Sequence, residues 1–165
     1  MNSPGNFEIR PATRGDAPRI LALIQQLADY EKLAHEVVAD TAALESTLFG
    51  EQPQAQCLLA WQDGAAVGMA LYFFNYSTFL GREGLYLEDL FVVPAARGAG
   101  IGKDLLRHLA QIAVQRGCGR FEWSVLDWNT PAIEFYEALG AQRQDGWSVY
   151  RLTGAALNEL ADDAA

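Results

Sequence analysis

Asp89-Leu90-Phe91-Val92-Val93-Pro94-Ala95-Ala96-Arg97-Gly98-Ala99-Gly100-Ile101-Gly102-Lys103 joins an apolar strand pattern to a helical pattern through a loop with three glycines. Bare backbone at Gly98, Gly100 and Gly102 lets several N–H groups converge on one anion, and the following helix adds the partial positive charge of its N-terminus. Arg97 could add a full charge. Spacing narrows the ligand. A Walker A loop needs Gly where Arg97 stands and Ser or Thr where Asp104 stands. A dinucleotide fingerprint starting at Gly98 needs Gly in place of Lys103. The pattern that fits is Arg-x-x-Gly-x-Gly after Phe-Val-Val-Pro, and a glycine-rich turn that binds nothing is the alternative reading of the loop alone.

Other chemistry is excluded more readily. Cys57 and Cys118 have no C-x-x-C spacing, and His35 and His108 form no metal-ligand pair, so neither a disulfide framework nor a metal site is expected. Cys118, following Gly117 at the start of an apolar run, reads as a buried structural thiol. A formal net charge of −9 argues against nucleic-acid binding, which draws its affinity from clustered Lys and Arg. The longest apolar run, Ala65 to Phe74, is far short of the ~20 residues of a membrane span, and no signal-like segment opens the chain. These features predict a soluble, cytoplasmic protein without a membrane partner.

The elements that must position the loop follow from periodicity. With 165 residues, half of them hydrophobic, the chain suits one domain with one substantial core, spanning residues 1–165 with loose tails at 1–6 and 161–165. Phe7 to Arg10 alternates as a short strand stopped by Pro11. Thr13 and Asp16 make a capping-box-like start to an amphipathic helix running to about Tyr30. A second helix is expected from Asp40 to about Leu48. Cys57–Gln62 and Ala65–Tyr76 flank Asp63-Gly64, a strong hairpin signal. After a turn at Gly81–Gly84, Leu85–Val93 forms the strand that enters the loop. A helix to Gly117, a strand Arg120–Val125 and a helix from Asn129-Thr130-Pro131 to Gly140 follow. A last hairpin is expected from Gln142–Gln144 and Ser148–Thr153 around Asp145-Gly146, then one or two helical turns within Ala155–Leu160. Strict alternation along the fourth strand would put Tyr86, Glu88, Leu90 and Val92 on one face and Leu87, Asp89 and Phe91 on the other.

The order β-α-α-β-β-β-α-β-α-β-β, with Arg97-x-x-Gly100-x-Gly102, resembles the GNAT superfamily of acyl-CoA-dependent N-acetyltransferases. Ile9-Arg10-Pro11-Ala12-Thr13, Leu27-Ala28-x-Tyr30-Glu31, Leu85-Tyr86-Leu87-Glu88-Asp89, Trp128-Asn129-x-Pro131, Phe135-Tyr136 and Gly146-Trp147 bring it nearest the diamine (spermidine/spermine) acetyltransferase branch. The resemblance covers residues 9 to about 152. It implies an α/β fold with a mixed, mostly antiparallel sheet of six to seven strands and helices on both faces.

The same resemblance implies acetyl-CoA as cosubstrate, no metal, and direct attack of a primary amine on the thioester. Leu90, Phe91 and Val92 would offer backbone to the pantetheine and the thioester carbonyl, often at a bulge. Arg97, Gly98, Ala99, Gly100, Ile101, Gly102 and Lys103 would hold the pyrophosphate, with Asn129, Thr130, Pro131 and Ala132 completing the coenzyme site. Tyr136 stands at the family's general acid, since the leaving thiolate needs a proton that a phenol can give. An amine of pKa near ~10.4 arrives charged and must lose a proton, and the resemblance makes Glu88 the carboxylate that contacts the amine and accepts that proton, directly or through water. Tyr30, Glu31, Asp89, Glu122, Trp123, Ser124 and Asp145 align with contacts to the amine substrate. The loop before Gly146 is shorter than in that branch, which suits thialysine-like amino acids or another small amine as readily as polyamines. A homodimer is implied. The rival readings are an acetyltransferase for a protein N-terminus, a lysine or an aminoglycoside, a non-catalytic acyl-CoA-binding module, and a structural or partner-binding protein.

Overall fold

A computed structural model of the protein describes residues 6–162, which group into two compact units divided between Ser124 and Val125. The tails expected at 1–6 and 161–165 fall largely outside the described residues, but Ala161 and Asp162 close the last helix rather than trailing from it.

The first unit runs β1 (Phe7–Pro11), α1 (Ala17–Tyr30), α2 (Thr41–Phe49), β2 (Gln56–Gln62), β3 (Ala65–Ser77), β4 (Arg82–Val92), α3 (Ile101–Arg116) and β5 (Phe121–Trp123). Local chemistry explains the boundaries. Asp16 accepts from both the backbone N–H and the hydroxyl of Thr13, at 2.9 and 3.0 Å, so the capping box forms around a single 3-10 turn that leads into α1. Asp40 caps α2 by accepting from the Ala43 N–H at 2.8 Å. Asp63 and Gly64 both have positive φ, 51° and 78°, as a primed hairpin turn requires. Gly117 ends α3 in the left-handed region.

The five strands form one sheet in the order β1-β2-β3-β4-β5, antiparallel except for the parallel β4–β5 pair. One face packs Ile20, Leu23 and Leu27 of α1 and Leu44 and Leu48 of α2 onto Cys57, Leu59, Met69, Leu71 and Phe91. The other carries α3, whose Ile101, Leu105 and Leu109 are buried. Gly68 permits that close approach, because a Cβ there would lie 3.3 Å from the Ile101 methyl. At ~1.5–3 kcal/mol for each fully buried large aliphatic side chain, the two layers hold the sheet from both sides.

The second unit holds α4 (Thr130–Ala138) and α5 (Gly154–Asp162). Asn129 caps α4 through its side-chain oxygen, and Gly140 follows it at φ 89°. The expected hairpin at Gln142–Gln144 and Ser148–Thr153 does not form: among the described residues this stretch contains no strand. Its apolar side chains are exposed, Trp147 by 85% and Tyr150 by 93%, so alternation has no face to bury and an isolated two-stranded ribbon is marginal at best. Among the described residues the sheet therefore has five strands, not six to seven, and β4 begins at Arg82, three residues earlier than expected.

Candidate active site

The glycine loop forms as the sequence predicts. After β4, a 3-10 turn at Pro94–Ala96 leads to Arg97, and Gly98 and Gly100 follow with φ of 86° and 87°. Only glycine holds this conformation without strain, and a Cβ built at either position would project into open space rather than into protein. The loop thus keeps a bare concave backbone where an anion can approach. The Asp104 N–H donates to the Gly100 carbonyl at 3.0 Å as the first bond of α3, which leaves the N–H groups of Ile101, Gly102 and Lys103 as the donors a helix start cannot use internally. These features fit a pyrophosphate. Within the expected coenzyme set, Ile101 and Phe91 bury their side chains in the core, so both contribute only backbone. Arg97 turns back from the loop. Its Nε donates to the Val92 carbonyl at 2.9 Å, and its guanidinium lies 5.2 Å from the Tyr30 ring centre and 5.7 Å from that of Phe91.

Glu88 and Asp89 sit at a bulge in β4. Leu71 stands opposite Asp89 while the next residue, Tyr72, stands opposite Leu87, so Glu88 is the extra residue. This corrects the strict alternation expected from the sequence. Asp89 and Phe91 share the α1 side with Tyr86, whereas Leu85 and Leu87 share the α3 side with Leu90 and Val92, and Glu88 projects outward at the switch. Asp89 is largely buried, and its carboxyl is pushed up to about 6, first by desolvation and then by the negative charges of Glu88 and Glu31. Burial also raises the Glu31 carboxyl. Tyr30 and Glu31 at the end of α1, Glu88 and Asp89 on β4, and Arg97 at the loop are gathered in one region.

On β5, Glu122 pairs in register with Tyr86, and the Ser124 hydroxyl is 2.8 Å from the Tyr86 hydroxyl. Trp123 departs from the expectation that all three β5 residues share a role. It alternates to the opposite face, where its ring lies 5.0 Å from that of Phe121. The β4–β5 ladder ends at Leu87 and Trp123, so from Glu88 to Val92 the strand has β3 on one side and no further strand on the other among the described residues.

In the second unit, Tyr136 is half-buried in α4 with its ring 5.5 Å from that of Phe135. The Asn129 side-chain oxygen is engaged by the Ala132 N–H at 3.4 Å, while Thr130 and Pro131 form the exposed first turn of α4. Asp145 pairs with Arg143 Nε at 3.1 Å and is exposed. Sequence reasoning missed Arg120 as a neighbour of the expected site. The signal was its spacing, since Arg120, Glu122 and Ser124 alternate at period two.

The acetyltransferase (GNAT) family model matches residues 22–141, across the division between the two units. The chain is 43% identical over 164 residues to thialysine N-epsilon-acetyltransferase of Bos taurus, covering 93% of this chain and 96% of that protein. It is 35% identical over 165 residues to the spermidine/spermine N(1)-acetyltransferase-like protein 1 of Homo sapiens, covering 94% of this chain and 24% of that longer one. Among solved structures, an integron cassette protein from the mobile metagenome of V. cholerae superposes with a TM-score of 0.80 at 28% identity, covering 94% of this chain and 98% of the other.

Proposed function

The chain belongs to the GNAT acetyltransferase family, and from that premise we propose how its own residues divide the work of moving an acetyl group onto the primary amine of a small cationic acceptor. Acetyl-CoA supplies the activated acetyl thioester. The loop from Gly98 to Lys103 binds the pyrophosphate through backbone N–H groups and the α3 N-terminus. Glu88 and Asp89 attract the ammonium and take its proton, directly or through water, leaving the lone pair that attacks the thioester carbon. An N–H of β4 beyond the bulge, on the edge without a partner strand, stabilises the negative charge that grows on the carbonyl oxygen. Tyr136 returns a proton to the departing thiolate, a role that rests on its place in the family motif. Glu31 and Tyr30 border the acceptor.

The observation that carries this reading is the bulge at Glu88. One strand holds the paired carboxylates at its kink and, a few residues on, runs into the loop that fits a pyrophosphate. A group of pKa near the working pH is the best placed to take a proton, and Asp89 at about 6 meets that condition. The relatives named for thialysine and for spermidine/spermine bracket the acceptor class: a short chain with at least one primary amine and a second cationic centre. A homodimer in the cytoplasm belongs to the same proposal, by resemblance. The test is release of free thiol from acetyl-CoA with a panel of diamines, polyamines, ω-amino acids, peptides and aminoglycosides. Turnover confined to peptides or aminoglycosides would reject the small-acceptor reading, and binding of acetyl-CoA without turnover of any amine would reject catalysis.

A further inference from the structure

Beyond the carboxylates, the α1 side of β3, β4 and β5 carries cross-strand rows. Leu71 faces Asp89 in the first, and Phe73, Tyr86 and Glu122 form the second. Asn75 faces Gly84 in the third, which Arg120 continues from just before β5, its carbonyl bonded to the Leu85 N–H. Each row is fixed. The Tyr86 hydroxyl is 2.8 Å from Ser124 Oγ, and its ring lies 5.2 Å from that of Phe73. The Asn75 amide oxygen lies where a Gly84 Cβ would be. The Arg120 carbonyl accepts from the Leu85 N–H at 2.9 Å, and its Nη1 lies 3.8 Å from Glu122 Oε1, with side-chain exposures of 46% and 38%.

Rows are two residues apart, roughly 6.6–6.8 Å along the strands. An amine held at Asp89 therefore has Glu122 one row along and one strand over, roughly 8 Å away with strands ~4.8 Å apart, and Arg120 one row farther, leaning back toward Glu122. Two amines joined by five or six bonds of ~1.5 Å lie roughly 6–7.5 Å apart when extended, close enough to that separation for the two carboxylate side chains to meet both. The Phe73–Tyr86 ring pair supplies an apolar floor for the methylenes between them. The charge order along this face is negative at Asp89, then a negative and a positive group side by side. That order complements an ammonium followed by an α-ammonium and an α-carboxylate. A plain diamine fits it poorly, because Arg120 already offsets Glu122 and presents its own positive charge to the second ammonium.

We propose that Arg120 and Glu122 read the zwitterionic head of the acceptor, Arg120 pairing with an α-carboxylate and Glu122 with an α-ammonium. The preferred acceptor is then an ω-amino α-amino acid. This rests on the amine-acetyltransferase reading above, and the experiment separates the two. Thiol release is measured with matched pairs that differ by one carboxylate: lysine against cadaverine, and ornithine against putrescine. Wild type should favour each amino acid over its decarboxylated twin by at least about tenfold in kcat/KM, the lower end of what a hydrogen bond to a charged group contributes at a partly exposed site. Arg120→Gln should cut that preference about tenfold or more, chiefly by raising KM for the amino acid. Arg120→Lys should restore part of it, since the charge returns without the planar fork. A melting curve on each variant confirms folding. Equal or better turnover of the diamines by wild type overturns the proposal, as does equal loss on both twins, or no loss, in Arg120→Gln. Failure of every amine overturns the parent reading instead.

Discussion

Arg97 donates its Nε hydrogen to the carbonyl of Val92 over 2.9 Å, tying the glycine loop back to the last residue of the strand that carries Glu88 and Asp89. The guanidinium also spans the rings of Tyr30 and Phe91, so one side chain braces the loop, the end of α1 and β4. Arg97→Gln keeps some polarity but loses both the charge-assisted bond and the ring contacts. A partly exposed bond of this kind contributes at the low end of ~1–3 kcal/mol. We expect KM for acetyl-CoA to rise about tenfold with a smaller fall in kcat, measured by initial rates at saturating amine. An unchanged KM would show that the loop holds its shape without the brace.

Gly100 gives a second test of the loop. At φ 87° a β-branched residue is strained, and its Cβ would enter the open side from which a pyrophosphate approaches. Binding to the native state alone stabilises by about 2.7 kcal/mol at a ligand concentration of 100 Kd. Acetyl-CoA should therefore raise the melting temperature of the wild type well beyond any effect of NAD or ATP. Gly100→Val should melt lower and lose the acetyl-CoA shift, and retention of the shift would place the pyrophosphate elsewhere.

The loop was legible because its chemistry is local: glycine spacing after an apolar strand sets backbone conformation within a few residues. The capping box of Thr13 and Asp16, the Asp63-Gly64 turn and the faces of α1 and α3 were legible for the same reason. The bulge was not. Nothing in Leu85-Tyr86-Leu87-Glu88-Asp89 breaks alternation; the extra residue exists only in the pairing of β4 with Leu71 and Tyr72. Missing it exchanged the faces of Tyr86 and Leu87. The last hairpin failed for the converse reason. Ser148–Thr153 has strand-like alternation, but a strand needs a partner and a buried side, and the exposed Val149 and Tyr150 have neither.

Tyr136→Phe removes one oxygen and keeps the ring that packs beside Phe135. If the phenol protonates the leaving thiolate, kcat should fall by roughly 10²–10⁴, less if water substitutes, while KM for acetyl-CoA changes little. Stopped assays of acetylated amine, together with a melting curve, separate this from a packing defect. A fully active variant with a lowered melting temperature would leave Tyr136 as core.

Asp89→Asn should move stability and activity in opposite directions. The carboxyl is held up to about 6 by burial and by the charges of Glu88 and Glu31, above the ~3.9 of an unfolded chain. Between roughly pH 4 and 6 the folded state thus binds more protons than the unfolded one, and stability falls as pH rises through that window. Above about pH 6 the ionised group costs the fold on the order of 3 kcal/mol. Asparagine has the same shape without the charge. At about pH 8 the variant should melt several degrees higher than wild type, given ~2–4 °C per kcal/mol for a chain of this size, and the gain should vanish toward about pH 4. Turnover should move the other way. In the wild type kcat/KM should drop as pH falls through about 6, where Asp89 takes up a proton, and Asp89→Asn should be slower at neutral pH because Glu88 alone must then take up the proton of the ammonium. Denaturation and rate profiles from about pH 4 to 9 on the two proteins check both limbs. A variant less stable than wild type at about pH 8 would mean that the Asp89 charge supports the fold rather than straining it, and would remove the reason to count it as a proton acceptor.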